Sequence, residues 1–413
     1  MRMKLFIMMV IELFIWGAWL PLVWSYIGPQ GLNFTGTEQA WIGSAFAIAS
    51  VVGIFFSNQF ADRNFSAERF MAFSHLIGGL AMLGLYFAKS FPAFFGLMLL
   101  HSLFYVPTIS VANALAFANL KDPQKEFGPV RMGGTIGWVL AAWPLYFILG
   151  TKTGAEAIQL YKYIFIISGV ASLVLAAFSL TLPHTPPKPA AAGTQKLAWV
   201  GAFKLLAIPY LLVLFIVTFV DATIHNGYFL MAGGFLSNPV GGPGFENKWI
   251  MPIMSIGQVA EILTMAILGS VLKRFGWKTT MILGILGHTV RFGVFALFPE
   301  NQALIVVVQV LHGICYAFFF ATVYIFIDAA FPKDVRTSAQ GLFNLLILGL
   351  GDLAAKWMFI PLQASLTQNN IIDYKSLFLV PTLLSVGAAI ILAVAFRPPR
   401  EEAITMGTPV TAH

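Results

Sequence analysis

Two polar side chains, Gln258 and Glu261, interrupt the apolar stretch at residues 251–268. They are three residues apart, so they share one face if the stretch is helical. The flanking residues are apolar on all sides, and the stretch therefore has no water-facing side of its own. A carboxylate at mid-membrane costs about 2.5–3.5 kcal/mol on insertion scales, and so it normally faces a partner or a water-filled cavity. The pair is a candidate site for solute and proton binding, unless a neighbouring helix simply satisfies it.

A second polar group lies in the apolar stretch at residues 206–235, where Asp221, Thr223, His225, Asn226 and Tyr228 occur within eight positions. At helical spacing, Asp221, His225 and Tyr228 share one stripe, and Thr223 and Asn226 share an adjacent one. A single buried histidine is more often structural than functional. Five polar side chains so close together indicate a binding face instead.

Arg131, Thr135 and Trp138 form another stripe at helical spacing. Gly133 and Gly137 form a G-x-x-x-G pair, which allows a second helix to approach closely. Arg131 lies near one end of its stretch and could extend to the membrane surface. The threonine and tryptophan that follow it favour an inward role.

Near the start of the chain, Glu12, Trp16 and Trp19 fall on one face. Glu12 is either a proton or cavity residue, or a structural carboxylate bonded to another helix; the sequence leaves both open. Further along, His312 and Tyr316 are four residues apart. Asp352 and Lys356 have the spacing and order of an intrahelical ion pair. The sequence names no partner for the remaining isolated polar residues: His75, His101, His288 and Arg291.

Composition places the chain in a membrane. Of its 413 residues, 58% are hydrophobic and only 10% are charged, and the mean hydropathy is +0.82. A soluble domain would be about 25% charged. The single cysteine, Cys315, excludes a disulfide framework, and no spacing indicates a metal site, a phosphate loop or a catalytic nucleophile. We therefore expect neither an enzyme nor a bound cofactor.

Hydropathy predicts an all-α integral membrane protein with twelve transmembrane helices. The spans are 4–26, 38–60, 68–88, 91–118, 129–150, 159–182, 206–235, 248–272, 278–298, 302–330, 338–365 and 375–396. A Pro-rich and Ala-rich segment separates six spans from six. We therefore predict an N-terminal half (1–182), a cytoplasmic linker (183–205), a C-terminal half (206–396) and a cytoplasmic tail (397–413).

Lysine and arginine set the predicted orientation. With both termini inside, the inner loops and tails hold sixteen of these residues and the outer loops hold five. The inner segment at 60–64, Phe-Ala-Asp-Arg-Asn, resembles a degraded loop motif of the major facilitator superfamily. It lacks the later glycine and the full basic cluster of that motif. Together with twelve spans and a central linker, it indicates the facilitator fold, in which two six-helix halves surround a central cavity.

Several motifs spread along the chain resemble the nucleoside:proton symporters, which are bacterial nucleoside permeases of this superfamily. They are Trp16-Gly-Ala-Trp19-Leu, Tyr105-Val-Pro-Thr, Pro129-Val-Arg-Met-Gly-Gly-Thr-Ile-Gly, Thr181-Leu-Pro-His, Met254-Ser-Ile-Gly-Gln-Val-Ala-Glu and Arg336-Thr-Ser-Ala-Gln-Gly. The resemblance implies that a nucleoside binds between the two halves. The implied contacts are Arg131, Thr135, Trp138, Asn226, Gln258, Glu261, His312 and Tyr316, and the resemblance also implicates the carboxylate of Glu261 in transport.

The chain departs from the family pattern at three positions. Ala317 stands where the family has an acidic residue, Thr223 where it has a glutamine, and Glu12 where it has a neutral amide. One carboxylate is lost and another gained, so the proton site, the coupling or the solute differs from the family pattern.

These observations predict a secondary active transporter that imports nucleosides by alternating access, coupled to protons. Candidates for proton coupling are Glu261, then Glu12 and Asp221. Aromatic rings with amides also suit a sugar or another polyhydroxylated solute nearly as well, and a non-transporting membrane sensor is a further alternative. We expect a multi-pass monomer in the inner (plasma) membrane that binds a nucleoside, protons and the lipid bilayer but no nucleic acid.

Overall fold

The computed structural model describes residues 1–53, 65–187, 205–330, 339–340, 342–369 and 371–398. Several sequence predictions lie outside these residues: the loop motif at 60–64, the linker from 188 to 204, positions 336–338 and 341 of the last family motif, and the tail after residue 398.

The described residues are mostly helical. In chain order the α-helices are α1 Arg2–Gly17, α2 Leu20–Ile27, α3 Gly36–Val52, α4 Ala67–Leu85, α5 Phe91–Asn119, α6 Pro123–Leu140, α7 Ala142–Leu149, α8 Gly154–Leu160, α9 Tyr163–Ser179, α10 Pro209–Ser237, α11 Ile250–Leu297, α12 Gln302–Val308, α13 Leu311–Cys315, α14 Thr322–Ala330, α15 Gly351–Ser365 and α16 Tyr374–Ala395. Two short 3₁₀ turns, Leu205–Ala207 and Asn247–Trp249, precede α10 and α11. Two short strands, β1 Thr367–Gln368 and β2 Ile371–Ile372, pair antiparallel before α16.

These helices are consistent with twelve spans. Within the described residues, nine helical stretches are long and apolar enough to cross a membrane. One of them, Asn247–Leu297, holds two predicted spans, because the backbone of Gly276 (φ 70°, ψ 175°) leaves the helical region there. Glycine adopts this left-handed φ without steric cost. The other two predicted spans correspond to α3, described for 17 residues, and α4, which carries charged residues.

Two predicted spans contain a π-helical segment. The first π-segment is Tyr316–Ala321, between α13 and α14, and the second is Leu345–Leu350, directly before α15. A π-turn leaves the regular pairing of the backbone and often occurs at functional sites. Hydropathy does not predict either segment.

The chain divides into two compact units. Unit 1 comprises the described residues of Met1–Ala190, Phe229–Gln258 and Lys356–Ala364, and unit 2 comprises those of Ala191–Tyr228, Val259–Ala355 and Ser365–His413. Within unit 1, α1 packs on α6 and α9, α5 packs on α3 and α4, and α4 packs on α9. The domain boundaries predicted around the linker stay predictions.

Unit 2 has a core rich in phenylalanine, contributed by α10, α11, the first π-segment, α14 and α16. Its fully buried rings are Phe319, Phe320, Phe326 and Phe396. Burying rings of this size supplies much of the packing energy that holds the helices together.

Two carboxylates, Glu68 and Asp373, form hydrogen bonds that hold the segments near them in place. Glu68 of α4 accepts hydrogen bonds from His184 Nδ1 (2.8 Å) and from the backbone N–H of Thr185 (3.0 Å), which ties the first residues of the predicted linker to unit 1. Asp373 caps α16: its carboxylate accepts from the N–H (3.1 Å) and the hydroxyl (2.6 Å) of Ser376. These bonds stabilise the ionised carboxylate and lower the pKa of Asp373 below its usual value.

Candidate functional site

In unit 1, helix α6 carries the predicted stripe of Arg131, Thr135 and Trp138, and all three side chains are half-buried. The guanidinium of Arg131 lies alongside Gly134, since a Cβ built on that glycine would be 2.5 Å from Nη1. The side chain therefore runs along α6 toward the C-terminal end of that helix. The inward role of Arg131 stays a prediction.

Trp138 belongs to an aromatic group. Its ring meets Trp16 edge-on (5.4 Å between centroids, 76°) and Phe229 at 5.7 Å. Trp16 in turn stacks on Phe46 (4.7 Å, 15°). The indole Nε1 of Trp16 is buried and donates to no other group in the described part of the chain. The group thus combines flat apolar surfaces with an unused donor, which suits a planar, polar ligand.

Glycines allow α1 and α6 to pack closely. A Cβ at Gly133 would lie 2.8 Å from the carbonyl oxygen of Phe6, and a Cβ at Gly137 would overlap the carbonyl oxygen of Val10. The predicted G-x-x-x-G pair therefore forms the contact surface of α6 with α1. This contact sets the position of Trp16 relative to Trp138.

Glu12 is fully buried and hydrogen-bonded at both carboxylate oxygens. Oε2 lies 2.8 Å from His75 Nε2, and Oε1 accepts from the Thr108 hydroxyl at 2.7 Å. Ser172 donates to the carbonyl oxygen of His75 (2.9 Å). Tyr105 donates to the carbonyl oxygen of Glu12 (2.7 Å). The sequence left Glu12 open between two roles and missed its partner His75, which is 63 residues away; the network shows how a buried carboxylate is satisfied by neighbouring helices.

Gln258 and Glu261 lie on α11, three residues apart. Gln258 is buried, and its Oε1 has no hydrogen-bond donor among the residues the structure describes. Glu261, in unit 2, is partly buried. A Cβ at Gly313 of α13 would overlap the backbone nitrogen of Glu261, so α13 approaches α11 at this point through that glycine. His312 therefore lies on the helix that contacts α11 at Glu261.

In unit 2, α10 carries Thr223 and Asn226. The Thr223 hydroxyl donates to the carbonyl oxygen of Phe219 (2.8 Å). The Asn226 amide donates to the carbonyl oxygens of Ala222 (2.9 Å) and of Ile347 (3.2 Å), the latter in the second π-segment. The side-chain N–H groups of Asn226 are thus bonded to backbone carbonyl oxygens.

His312 and Tyr316 are brought together through His225. The rings of His225 and His312 stack (4.8 Å, 23°), and the ring of His225 is 6.1 Å from that of Tyr316. Tyr228 lies 5.0 Å from His312 and donates its hydroxyl to Gln309 (2.8 Å). The spacing along each helix predicted which of these side chains share a face, but it did not predict Gln309.

Arg291 is the centre of the buried polar group of unit 2, and the sequence named no partner for it. Its side chain is fully buried, Nη1 lies 2.7 Å from His312 Nδ1, and Nη2 lies 3.2 Å from His288 Nδ1. The guanidinium also covers the ring of Tyr228 at 4.1 Å. Asp221 is fully buried beside this group, with Oδ2 3.8 Å from His288 Nε2. The i, i+3 spacing of His288 and Arg291 was the one feature of the sequence that could have predicted their contact.

Two further sequence observations have structural counterparts. Ala317, where the family has an acid, is buried with Leu268 and Phe318 in an apolar cluster. Lys356 is buried in unit 1, with its ammonium 5.6 Å from the ring of Trp24. Its pairing with Asp352 stays a prediction. Across the described ranges, no group of three or more His, Cys, Asp or Glu side chains has the arrangement of a metal site.

Comparisons with known proteins identify the family. The model of the nucleoside H⁺ symporter family matches residues 1–401. The chain belongs to this family. It is 34% identical to YegT of Escherichia coli (strain K12) over 360 residues that cover 85% of this chain and 81% of YegT. It is 28% identical to the xanthosine permease of the same organism, with 95% of this chain and 94% of the permease covered.

The fold of this nucleoside H⁺ symporter family member agrees with a solved relative. A crystal structure of a variant of the nucleoside transporter NupG superposes with a TM-score of 0.86 at 26% identity, covering 96% of this chain and 100% of that one. The protein is therefore a multi-pass membrane transporter of the major facilitator type, and not an enzyme. The predicted fold class is confirmed.

Proposed function

We propose that the protein imports nucleosides together with protons by alternating access. The observation that carries this proposal is the match of the nucleoside H⁺ symporter family to residues 1–401. In such transporters two halves of the molecule expose one solute site to each side of the membrane in turn.

We propose that unit 1 binds the nucleoside through Arg131, Thr135, Trp138 and Gln258. The aromatic group around Trp138 offers faces for a nucleobase. The unused donor at Trp16 Nε1 and the unused acceptor at Gln258 Oε1 support binding of a polar ligand, because buried polar atoms normally have partners.

We propose that unit 2 binds it through Thr223, Asn226, Glu261, His312 and Tyr316. Asn226 donates to two backbone carbonyls. Its amide oxygen is then the part that serves as an acceptor for a ribose hydroxyl or a base N–H. The first π-segment holds the proposed contact Tyr316, and the second holds the Ile347 carbonyl that accepts from Asn226. π-Helical turns are common at functional sites.

For proton coupling we propose Glu261 first. Ala317 has no ionisable group, and Glu12 already has a hydrogen bond on each oxygen. Glu261 is partly buried on the same helical face as Gln258, so its protonation can respond to a solute held there. We place both termini and the linker in the cytoplasm, from the distribution of lysine and arginine, and propose a monomer that binds no nucleic acid.

Uptake of radiolabelled uridine into proteoliposomes tests the function. We expect nucleosides to compete with the label and free sugars not to compete. Competition by sugars instead would favour a sugar or polyol carrier. Tight binding without flux would favour a sensor.

Glu261→Gln tests the coupling residue. The amide keeps the size of the side chain but cannot take up and release a proton, so we expect the dependence of uptake on the pH gradient to weaken. Glu156→Gln, an exposed carboxylate paired with Lys152, is the matched control and should behave as the wild type. Wild-type rate and gradient dependence in Glu261→Gln would remove Glu261 from the coupling role.

A further inference from the structure

Arg291 fixes the protonation of two histidines in unit 2. Arginine has only N–H donors and no acceptor. Its Nη1 and Nη2 lie within hydrogen-bond distance of His312 Nδ1 and His288 Nδ1, so both Nδ1 atoms must accept. Each histidine is then neutral with its proton on Nε2, since an imidazolium would have no acceptor for the arginine. The N–H of His288 Nε2 therefore lies on the ring edge nearest Asp221, 3.8 Å from Oδ2.

Asp221 is a carboxyl group without hydrogen bonds. Neither Oδ1 nor Oδ2 has a hydrogen-bond partner within the described part of the protein, although the side chain is fully buried. The 3.8 Å separation from His288 Nε2 is too long for a hydrogen bond. A buried carboxylate that accepts no hydrogen bond is costly, and this favours the neutral acid. A neutral acid, however, would remove the negative charge that Asp221 places near the buried Arg291.

These two costs oppose each other, so neither protonation state of Asp221 is fully satisfied by the surrounding protein. Other ionisable groups face this site from each helix packed around it. They are His225 and Tyr228 on α10, His288 and Arg291 on α11, and His312 and Cys315 on α13. Helix α15 packs against α10 where Gly351, the residue before Asp352, meets Ala222. Arg291 is the cation among them, because the histidines it contacts are held neutral.

We propose that Asp221 is a second proton-binding site, and that His288 and Arg291 couple it to the solute site at His312. When a proton binds, one O–H bond forms on the carboxylate, and the negative charge near Arg291 is lost. The electrostatic field that Arg291 and its hydrogen bond impose on His312 then changes. Because the His312 ring lies in the proposed solute site, solute binding and protonation of Asp221 influence each other's affinity equally. This inference rests on the proposed function, and it assigns to Asp221 a role separate from that of Glu261.

Difference infrared spectroscopy of the full-length protein tests proton binding without any solute. Carbon-13 in the aspartate carboxyl groups shifts their bands and so distinguishes them from glutamate. We expect the intensity of the isotope-shifted band of protonated carboxyl groups to grow as the pH falls. The part of this band that comes from Asp221 should be missing in Asp221→Asn and therefore remain in the difference between the wild type and this variant, while the other aspartates contribute equally to both. In Asp221→Glu that part of the band should lose the isotope shift, which keeps the test valid if the asparagine variant does not fold. An unchanged isotope-shifted band in either variant would overturn the assignment.

Proteoliposome assays test the coupling. In Asp221→Asn we expect the accumulation ratio of uridine under a pH gradient to fall, while the proton bound at Glu261 keeps it above one. The loss should be larger than that of uridine exchange at equal pH. Proton uptake on uridine binding should fall by about one per transporter. Accumulation and proton uptake equal to the wild type would refute the coupling. If the wild type moves no nucleoside, the proposed function fails, and the infrared result still decides whether Asp221 binds a proton.

Discussion

Replacing Glu12 by glutamine tests whether this carboxylate has a structural role or a proton-coupling role. In Glu12→Gln the amide oxygen still accepts from Thr108, and the amide N–H₂ can donate to His75 Nε2. His75 would then carry its proton on Nδ1, where the Ser172 hydroxyl oxygen lies 3.3 Å away and can accept it. The two hydrogen bonds survive as neutral ones. We therefore expect the network to persist and proton-coupled uptake to continue.

The expected cost follows from the number of bonds. Hydrogen bonds to charged groups contribute about 1.5–3 kcal/mol and neutral ones about 0.5–1.5, so converting two bonds from charged to neutral lowers stability by about 2–3 kcal/mol. For a chain of 413 residues a loss of this size lowers Tm by about 2–3 °C, because the unfolding entropy is about 2.1 cal/mol/K per residue. Glu12→Ala removes both bonds and leaves His75 and Thr108 buried without their partner, so it should cost about 3–5 kcal/mol.

Thermal unfolding of the purified variants and uridine uptake with and without a pH gradient are the measurements. The expected order of Tm is wild type, then Glu12→Gln, then Glu12→Ala, with gradient dependence kept in the glutamine variant. The structural role of Glu12 would be refuted if Glu12→Gln kept its Tm and its exchange activity but lost its response to the gradient.

Two further substitutions test the packing and the caps. Gly137→Ala should lower the free energy of unfolding by about 1–3 kcal/mol, because its Cβ would overlap the Val10 carbonyl oxygen; Gly96→Ala, whose Cβ would meet nothing within 4 Å, is the control and should be neutral or stabilising by up to about 1 kcal/mol. Asp373→Ala should lower stability by about 1 kcal/mol through loss of the α16 cap. Because the pKa of Asp373 is lowered in the folded state, the cap stabilises fully above the usual aspartate pKa of 3.8 and is lost as the pH falls through the lowered value. The Tm of Asp373→Ala should therefore approach that of the wild type at acid pH. Equal Tm values for the two glycine variants, or a constant Tm difference for Asp373→Ala at all pH values, would contradict these expectations.

Hydropathy predicted the helices well because each span must be apolar over about 20 residues. The spacing of residues along a helix predicted which side chains share a face, such as Arg131 and Trp138. Neither hydropathy nor helical spacing could predict the pairing of Glu12 with His75 or of Arg291 with His312. Those contacts join different helices, and their geometry depends on packing such as that at Gly133 and Gly137.

The two π-segments were equally invisible to hydropathy. A π-turn changes backbone pairing without changing hydropathy, so Tyr316 and the Ile347 carbonyl looked like ordinary helical positions. Asp221 was recognised from the sequence as a polar residue in an apolar span and as a candidate for proton coupling. That no described residue hydrogen-bonds to its carboxyl group is a property of the folded unit alone.

The most direct test of proton-coupled nucleoside import is the level that uridine reaches inside proteoliposomes when the outside is made more acidic than the inside. We predict accumulation above the external concentration, which disappears when a protonophore collapses the gradient. An internal concentration that only equals the external one, with or without the gradient, would contradict proton coupling.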